Sequence, residues 1–118
     1  MNKYNFDKLT NEFILNAMIH EETTYSGNYK KGNKASDKLN KICKLMKENA
    51  SLAEKMLDIL LKHDNINVRI WACGTAIDIN YKEDEAKQIL TDISKMTNIG
   101  IQRFNAEMSL KVRMTKLK

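Results

Sequence analysis

The residues of this chain that could do chemistry are two histidines, two cysteines and several neighbouring acids. The stretch from His20 to Thr24 begins like the H-E-x-x-H helix of zinc metalloproteases, in which two histidines one turn apart hold the metal. The position four residues after His20 is a threonine, so the second ligand is missing. His63 also has no cysteine or histidine at ligand spacing. The sequence therefore predicts no metal site and no cofactor.

Nucleophilic and acid–base chemistry is equally poorly supported by the sequence. Cys43 and Cys73 fall within helical patterns far apart in the chain, where single cysteines usually act as small core residues. The sequence contains no glycine-rich phosphate loop and no G-x-S-x-G elbow. The acids at 21–22 and 83–85 lie at helix ends or on exposed faces, where solvation and the helix dipole account for them. We therefore expect a protein that is not an enzyme and has no catalytic residues.

A row of lysines on the second helical segment is the strongest charge feature. These residues fall within about 140° of one another on a helical wheel, opposite the apolar face, and only Asp37 interrupts them. The row consists of Lys30, Lys31, Lys34, Lys38, Lys41 and Lys44. Three interpretations stay open: a solvated face, a contact for an acidic protein surface, or a contact for nucleic-acid phosphates. No aromatic residues interleave the lysines, which disfavours single-strand binding.

Length and composition favour one all-α domain over residues 1–118. The chain is 42% hydrophobic and 30% charged, which is typical of a folded domain. It has no proline and only four glycines, so a sheet protein with many tight turns is disfavoured. Apolar runs such as Ile59-Leu60-Leu61 are far shorter than the roughly 18 residues that span a bilayer. With no signal-peptide pattern at the start, we expect no membrane contact and a cytoplasmic location.

Six helices follow from the 3.6-residue hydrophobic period. Five are amphipathic, whereas the fourth is apolar almost all round and should pack between neighbours. A capping box at Ser51 and Glu54 should start the third helix. Asn65 or Asp64 should cap the fourth helix, and Asn98 should cap the sixth. Arg69 should form an ion pair with Asp58, Asp64 or Asp92. The predicted helices cover about 7–24, 29–47, 51–63, 66–79, 82–96 and 99–114.

The third and fourth helices recur as the fifth and sixth. An offset of 33 residues places the apolar residues of 53–60 on those of 86–93, and an offset of 34 places Ala72 and Thr75 on Ala106 and Ser109. Each unit is an outer helix, a short turn and an inner helix, and such hairpins stack because one alone cannot bury its inner helix. The predicted organisation is a divergent capping hairpin over 1–48 and repeats over 51–79 and 82–114.

The stretch from Leu60 to Ala72, which reads LLKHDNINVRIWA, resembles the inter-helix turn of HEAT-like repeats. Residues from about Ala35 to Leu110 are similar to a small bacterial HEAT-like family of unassigned function. The pattern departs from that family at Ile66, where such turns often carry proline, and at Cys73-Gly74, where alanine is usual. The resemblance implies a short α-solenoid of HEAT-like hairpins, and it brings no catalytic residues.

In such a solenoid the inner helices line the concave face. Asn67, Trp71, Gly74 and Asp78 form the narrow polar stripe of the fourth helix, so they are the predicted partner-binding residues. A partly exposed tryptophan there would be a binding hot spot, unless the first helix, the sixth helix or a neighbouring repeat covers it. The lysine row lies apart from this stripe, on the second helix, which we interpret as an outer helix.

These features favour a non-enzymatic protein-interaction module, such as a bacterial immunity or adaptor protein. The alternative is a nucleic-acid-binding HEAT-like protein that uses the lysine-rich helix, with Lys30, Lys34, Lys38, Lys41 and Lys44 as contacts to an anionic partner. A protein partner is expected in the first case and nucleic acid in the second. A homodimer with a structural function is a third possibility. No feature of the sequence indicates a small-molecule ligand.

Overall fold

The protein is all-helical, as the sequence predicts. The computed structural model describes residues 5–116, with side chains through residue 113, and residues 1–4 and 117–118 of the predicted domain lie outside that range. No strand occurs in the described part of the chain. Six helices follow one another: α1 Phe6–Ser26, α2 Tyr29–Glu48, α3 Ala50–Leu60, α4 Ile66–Asp78, α5 Glu83–Ser94 and α6 Ile101–Lys116.

Asparagines start four of the six helices. In each case the side-chain oxygen accepts a hydrogen bond from the backbone N–H three residues later, which satisfies a donor that the helix leaves free. These N-caps are Asn5, Asn28, Asn49 and Asn65. The capping box predicted at Ser51 is therefore wrong, because Asn49 caps α3 and Ser51 lies inside the helix.

The start of α6 also differs from the prediction. Asn98 and Gly100 both have a φ of 64°, so the chain makes a left-handed turn there and α6 begins at Ile101. The ion pair predicted for Arg69 is not formed among the described residues. Asp58 binds Lys82 and Tyr81 instead, and the Arg69 Nε is buried without a hydrogen-bond partner.

Helix α4 lies at the centre of the fold, as its apolar composition predicts. It packs against all five other helices, while α1 packs mainly on α2 and α5 mainly on α6. Nine of its thirteen residues are buried, which leaves only a narrow strip of its surface open. The buried core runs from Phe13 on α1 through Leu57 on α3 and Val68 on α4 to Leu90 on α5. No described helix is long and apolar enough to cross a membrane.

Candidate functional site

The open strip of α4 forms the floor of a cleft between α2 and α6. The cleft has a volume of about 220 Å³. It is lined by Asn40, Cys43 and Lys47 of α2, by Ile70, Trp71, Gly74, Thr75 and Asp78 of α4, and by Ser109 and Arg113 of α6. Three of the four predicted stripe residues therefore share one surface. The cleft also includes residues of α2, although the lysine row of that helix lies outside it.

Asp78 ties the three walls of the cleft together. Its carboxylate lies 3.3 Å from the Lys47 Nζ on α2 and 3.1 Å from the Arg113 Nε on α6. The Arg113 side chain is 24% exposed and that of Asp78 is 21% exposed, so water screens this pair less than a typical surface pair. Two cations facing one carboxylate leave the end of the cleft with one net positive charge.

Gly74 lets the Arg113 guanidinium approach the backbone of α4. The Arg113 Nε donates a 2.9 Å hydrogen bond to the Gly74 carbonyl oxygen, near the negative C-terminal end of the helix. A Cβ atom at position 74 would lie 2.7 Å from the Arg113 Nη2. A larger residue at this position would therefore displace the guanidinium, which is the flexible end of the Arg113 side chain.

Trp71 stands one turn before Gly74 and is half-buried. Its indole meets the His20 ring of α1 at nearly a right angle, with ring centroids 5.7 Å apart and an interplanar angle of 85°. This T-shaped contact fixes one side of the indole while another side borders the cleft. Burial lowers the pKa of His20, because the charged imidazolium is penalised away from water. Trp71 is thus partly covered by His20 and the core, and partly open to the cleft.

Asn67, the fourth predicted stripe residue, is not on the surface. It is 2% exposed, and its side-chain amide donates a 2.6 Å hydrogen bond to the Ala17 carbonyl oxygen of α1. The same nitrogen lies 3.3 Å from the His20 Nδ1. The prediction that Asn67 contacts a partner is wrong because α1 covers this end of α4. Asn67 instead holds His20, which in turn supports Trp71.

The two cysteines are poor nucleophiles in this fold. Burial raises the pKa of Cys73 to about 12 and also raises the pKa of Cys43, since a thiolate is disfavoured away from water. The Thr75 hydroxyl donates a 3.2 Å hydrogen bond to the Cys43 Sγ, which offsets part of the effect of burial on the Cys43 pKa. Both thiols are free and stay protonated at neutral pH.

The lysine row is exposed along its whole length on α2. None of its six members takes part in an ion pair among the described residues, and none lines the cleft. Helix α2 carries seven lysines against two acids, so its net charge equals the +5 of the entire chain. The rest of the chain therefore has a formal net charge of zero, although α6 is also cationic, with four basic residues against one acid.

No group of three or more metal-ligating side chains occurs among residues 5–113. The sequence did not predict seven of the ten cleft residues, which are Asn40, Cys43, Lys47, Ile70, Thr75, Ser109 and Arg113. One sequence signal for the approach of Arg113 was Gly74, an unusual residue in the middle of a helix. The repeat alignment does pair Thr75 with Ser109, and both line the cleft.

Comparison with known proteins does not assign the chain to a family. No protein-family model, curated protein or solved structure matches the chain. What the structure defines is a six-helix, all-α protein with a partly cationic cleft at its centre.

Proposed function

We propose that the chain is a non-enzymatic protein-interaction module, an immunity or adaptor protein of the small bacterial HEAT-like kind that acts in the cytoplasm. In this proposal α3–α4 and α5–α6 are stacked HEAT-like hairpins, with α1–α2 as a divergent cap. The second helix of each pair lines the cleft, and the equivalent Thr75 and Ser109 both reach it, which supports the stacking. Two free, buried cysteines fit a reducing compartment.

The observation that carries the proposal is Trp71, held at the wall of the cleft with one side open. Tryptophan is enriched among the residues that dominate protein interfaces, because it offers a large apolar surface with few rotatable bonds. Here the His20 contact and the Asn67 hydrogen bond behind it fix the indole before any partner arrives. A fixed side chain loses little conformational entropy on binding.

The experiment starts with affinity capture by the full chain and identification of the captured protein by mass spectrometry. The purified partner is then titrated by calorimetry against wild type and Trp71→Ala. We expect the substitution to weaken binding by at least about 2 kcal/mol, or roughly 30-fold, as for a hot-spot residue. A thermal melt of each variant separates lost contacts from lost folding.

Tyr29→Ala is the matched control, because Tyr29 is an aromatic residue 80% exposed at the start of α2, outside the cleft. It should bind as wild type does. Equal affinities of wild type and Trp71→Ala for the purified partner would contradict the proposal, and so would failure to recover any partner.

Nucleic-acid binding is the second candidate, and the six exposed lysines of α2 favour it. Each lysine that neutralises a phosphate releases counterions, so the affinity should fall steeply as salt is raised. Changing Lys34, Lys38 and Lys41 to Glu should abolish retention on duplex DNA, while Trp71→Ala should leave it unchanged. No retention of wild type on duplex or single-stranded DNA at low salt would rule this candidate out.

A further inference from the structure

Helix α6 exposes a continuous apolar stripe away from the cleft. Its members lie at intervals of three, four and four residues, which places them on one helix face. They are Ile101, Phe104, Met108 and Val112, with exposed fractions of 45%, 57%, 38% and 46%. This pattern is unlike that of the neighbouring α5, whose solvent face carries Asp84, Gln88 and Asp92.

The opposite face of α6 buries an amide beside the apolar Ala106. Gln102 is 2% exposed, and its side-chain nitrogen donates a 3.2 Å hydrogen bond to Glu21 of α1. A helix of a monomer normally buries its apolar residues and exposes its amides. Here an amide is buried while four large apolar side chains face water, so the stripe is suited to contact with another molecule.

We propose that the stripe is the interface of a homodimer in which two copies of α6 pack antiparallel around a twofold axis at Met108. A twofold interface must be self-complementary, because the same patch is used by both copies. Phe104 lies four residues before Met108 and Val112 four residues after it. Antiparallel pairing therefore places each Phe104 against the partner's Val112 and packs the two copies of Met108 against each other.

The charges beside the stripe are also self-complementary. Glu107 and Lys111 lie one turn apart on the same flank of the stripe and carry opposite charges. In the antiparallel dimer each Glu107 comes within reach of the partner's Lys111, which would add two symmetrical ion pairs to the interactions that Lys111 already makes within its own chain. An acidic peptide or a nucleic acid would instead meet the cationic α2, which has no comparable apolar stripe.

The area of the stripe sets the expected strength of the dimer. The four exposed fractions correspond to roughly 300–400 Å² of apolar surface per copy, a size typical of a functional patch. A stable interface buries about 800 Å² per partner, so this dimer belongs to the weak, reversible class. It should form in the micromolar range and separate on dilution.

Sedimentation velocity from low-micromolar to submillimolar protein tests the proposal. Wild type should shift from monomer to dimer across this range. Met108→Glu places two carboxylates at the twofold axis and should weaken the dimer at least about tenfold. Ile59→Glu is the matched control, because Ile59 is also 45% exposed but lies on α3, and it should dimerise as wild type does.

Charge reversal supplies a second readout that does not depend on the apolar residues. Glu107→Lys alone and Lys111→Glu alone should each weaken the dimer several-fold, while the double exchange should restore it. Circular dichroism confirms that each variant is helical. The proposal is overturned by a chain that stays monomeric at every concentration. That result overturns it even if the chain floats with vesicles of anionic phospholipid, which would mean that the stripe contacts a lipid surface instead. A dimer that survives Met108→Glu, or a double exchange that restores nothing, overturns it as well.

Discussion

Replacing Gly74 by alanine should have opposite effects on stability in two backgrounds. The new Cβ would lie 2.7 Å from the Arg113 Nη2 and 2.9 Å from its Cζ, so the guanidinium must move away. It would then lose its hydrogen bond to the Gly74 carbonyl oxygen, at 2.9 Å, and its 3.2 Å contact with Asp78. Without Arg113 there is no obstacle, and alanine is simply a better helix residue than glycine.

The magnitude follows from two opposing contributions. Alanine in a helix interior gains about 1 kcal/mol over glycine. Each hydrogen bond from a charged donor contributes about 1.5–3 kcal/mol, and the lower end applies to side chains that keep some contact with water. Gly74→Ala should therefore destabilise wild type by about 1–2 kcal/mol. In the Arg113→Ala background it should stabilise by about 0.5–1 kcal/mol.

Urea unfolding followed by circular dichroism at equilibrium measures all four proteins of this double-mutant cycle. The coupling free energy between the two positions should be about 2 kcal/mol. The Lys47–Asp78 pair remains in every variant, so α4 stays attached to α2. A Gly74→Ala variant that is more stable than wild type would refute the reasoning, as would the same change in unfolding free energy in both backgrounds.

Three further predictions concern the supports of the cleft. Burial lowers the folded-state pKa of His20 below its ordinary 6.5, so the unfolded chain binds more protons, and the free energy of unfolding should be highest above that pH and decrease below it. Between pH 7.5 and 5.5, urea unfolding should show a smaller loss of this free energy for His20→Gln than for wild type. Equal losses in the two proteins would contradict this prediction. Asn67→Ala should lower the free energy of unfolding by about 2 kcal/mol through its lost bond to Ala17, and a change below about 0.5 kcal/mol would be contrary evidence. Neither Cys43 nor Cys73 should react with a thiol reagent at pH 8 until urea unfolds the chain, whereas rapid labelling of the folded protein would argue against the raised pKa values.

The helices and their centre could be predicted from sequence because hydrophobic spacing reports local geometry. The run of apolar residues in α4 correctly indicated burial on nearly all sides, and Asn65 was correctly named as one of two candidates for its N-cap. The starts of α3 and α6 were predicted less well. Asn49 lies two residues before Ser51, and both residues are good caps, so spacing alone did not decide between them. Asn98 adopts a left-handed turn with Gly100, which delays the start of α6.

The site was predictable in one part only. The spacing of Trp71, Gly74 and Asp78 on one face is a property of a single helix, and the structure places all three in the cleft. Asn67 has the same spacing, but α1 covers it, and the packing of α1 depends on contacts 50 residues apart in sequence. Arg113 reaches Gly74 across 39 residues for the same reason. Helical periodicity carries no information about such tertiary pairs.

The most direct test of the central claim, that a protein partner binds at Trp71, uses the fact that the chain has one tryptophan. The protein is labelled with 5-fluorotryptophan, and its single ¹⁹F resonance is recorded while the purified partner or duplex DNA is added. We predict that the partner shifts the resonance saturably and that DNA leaves it in place, because the lysine row lies outside the cleft. A partner that binds while the Trp71 resonance stays unchanged would contradict the claim.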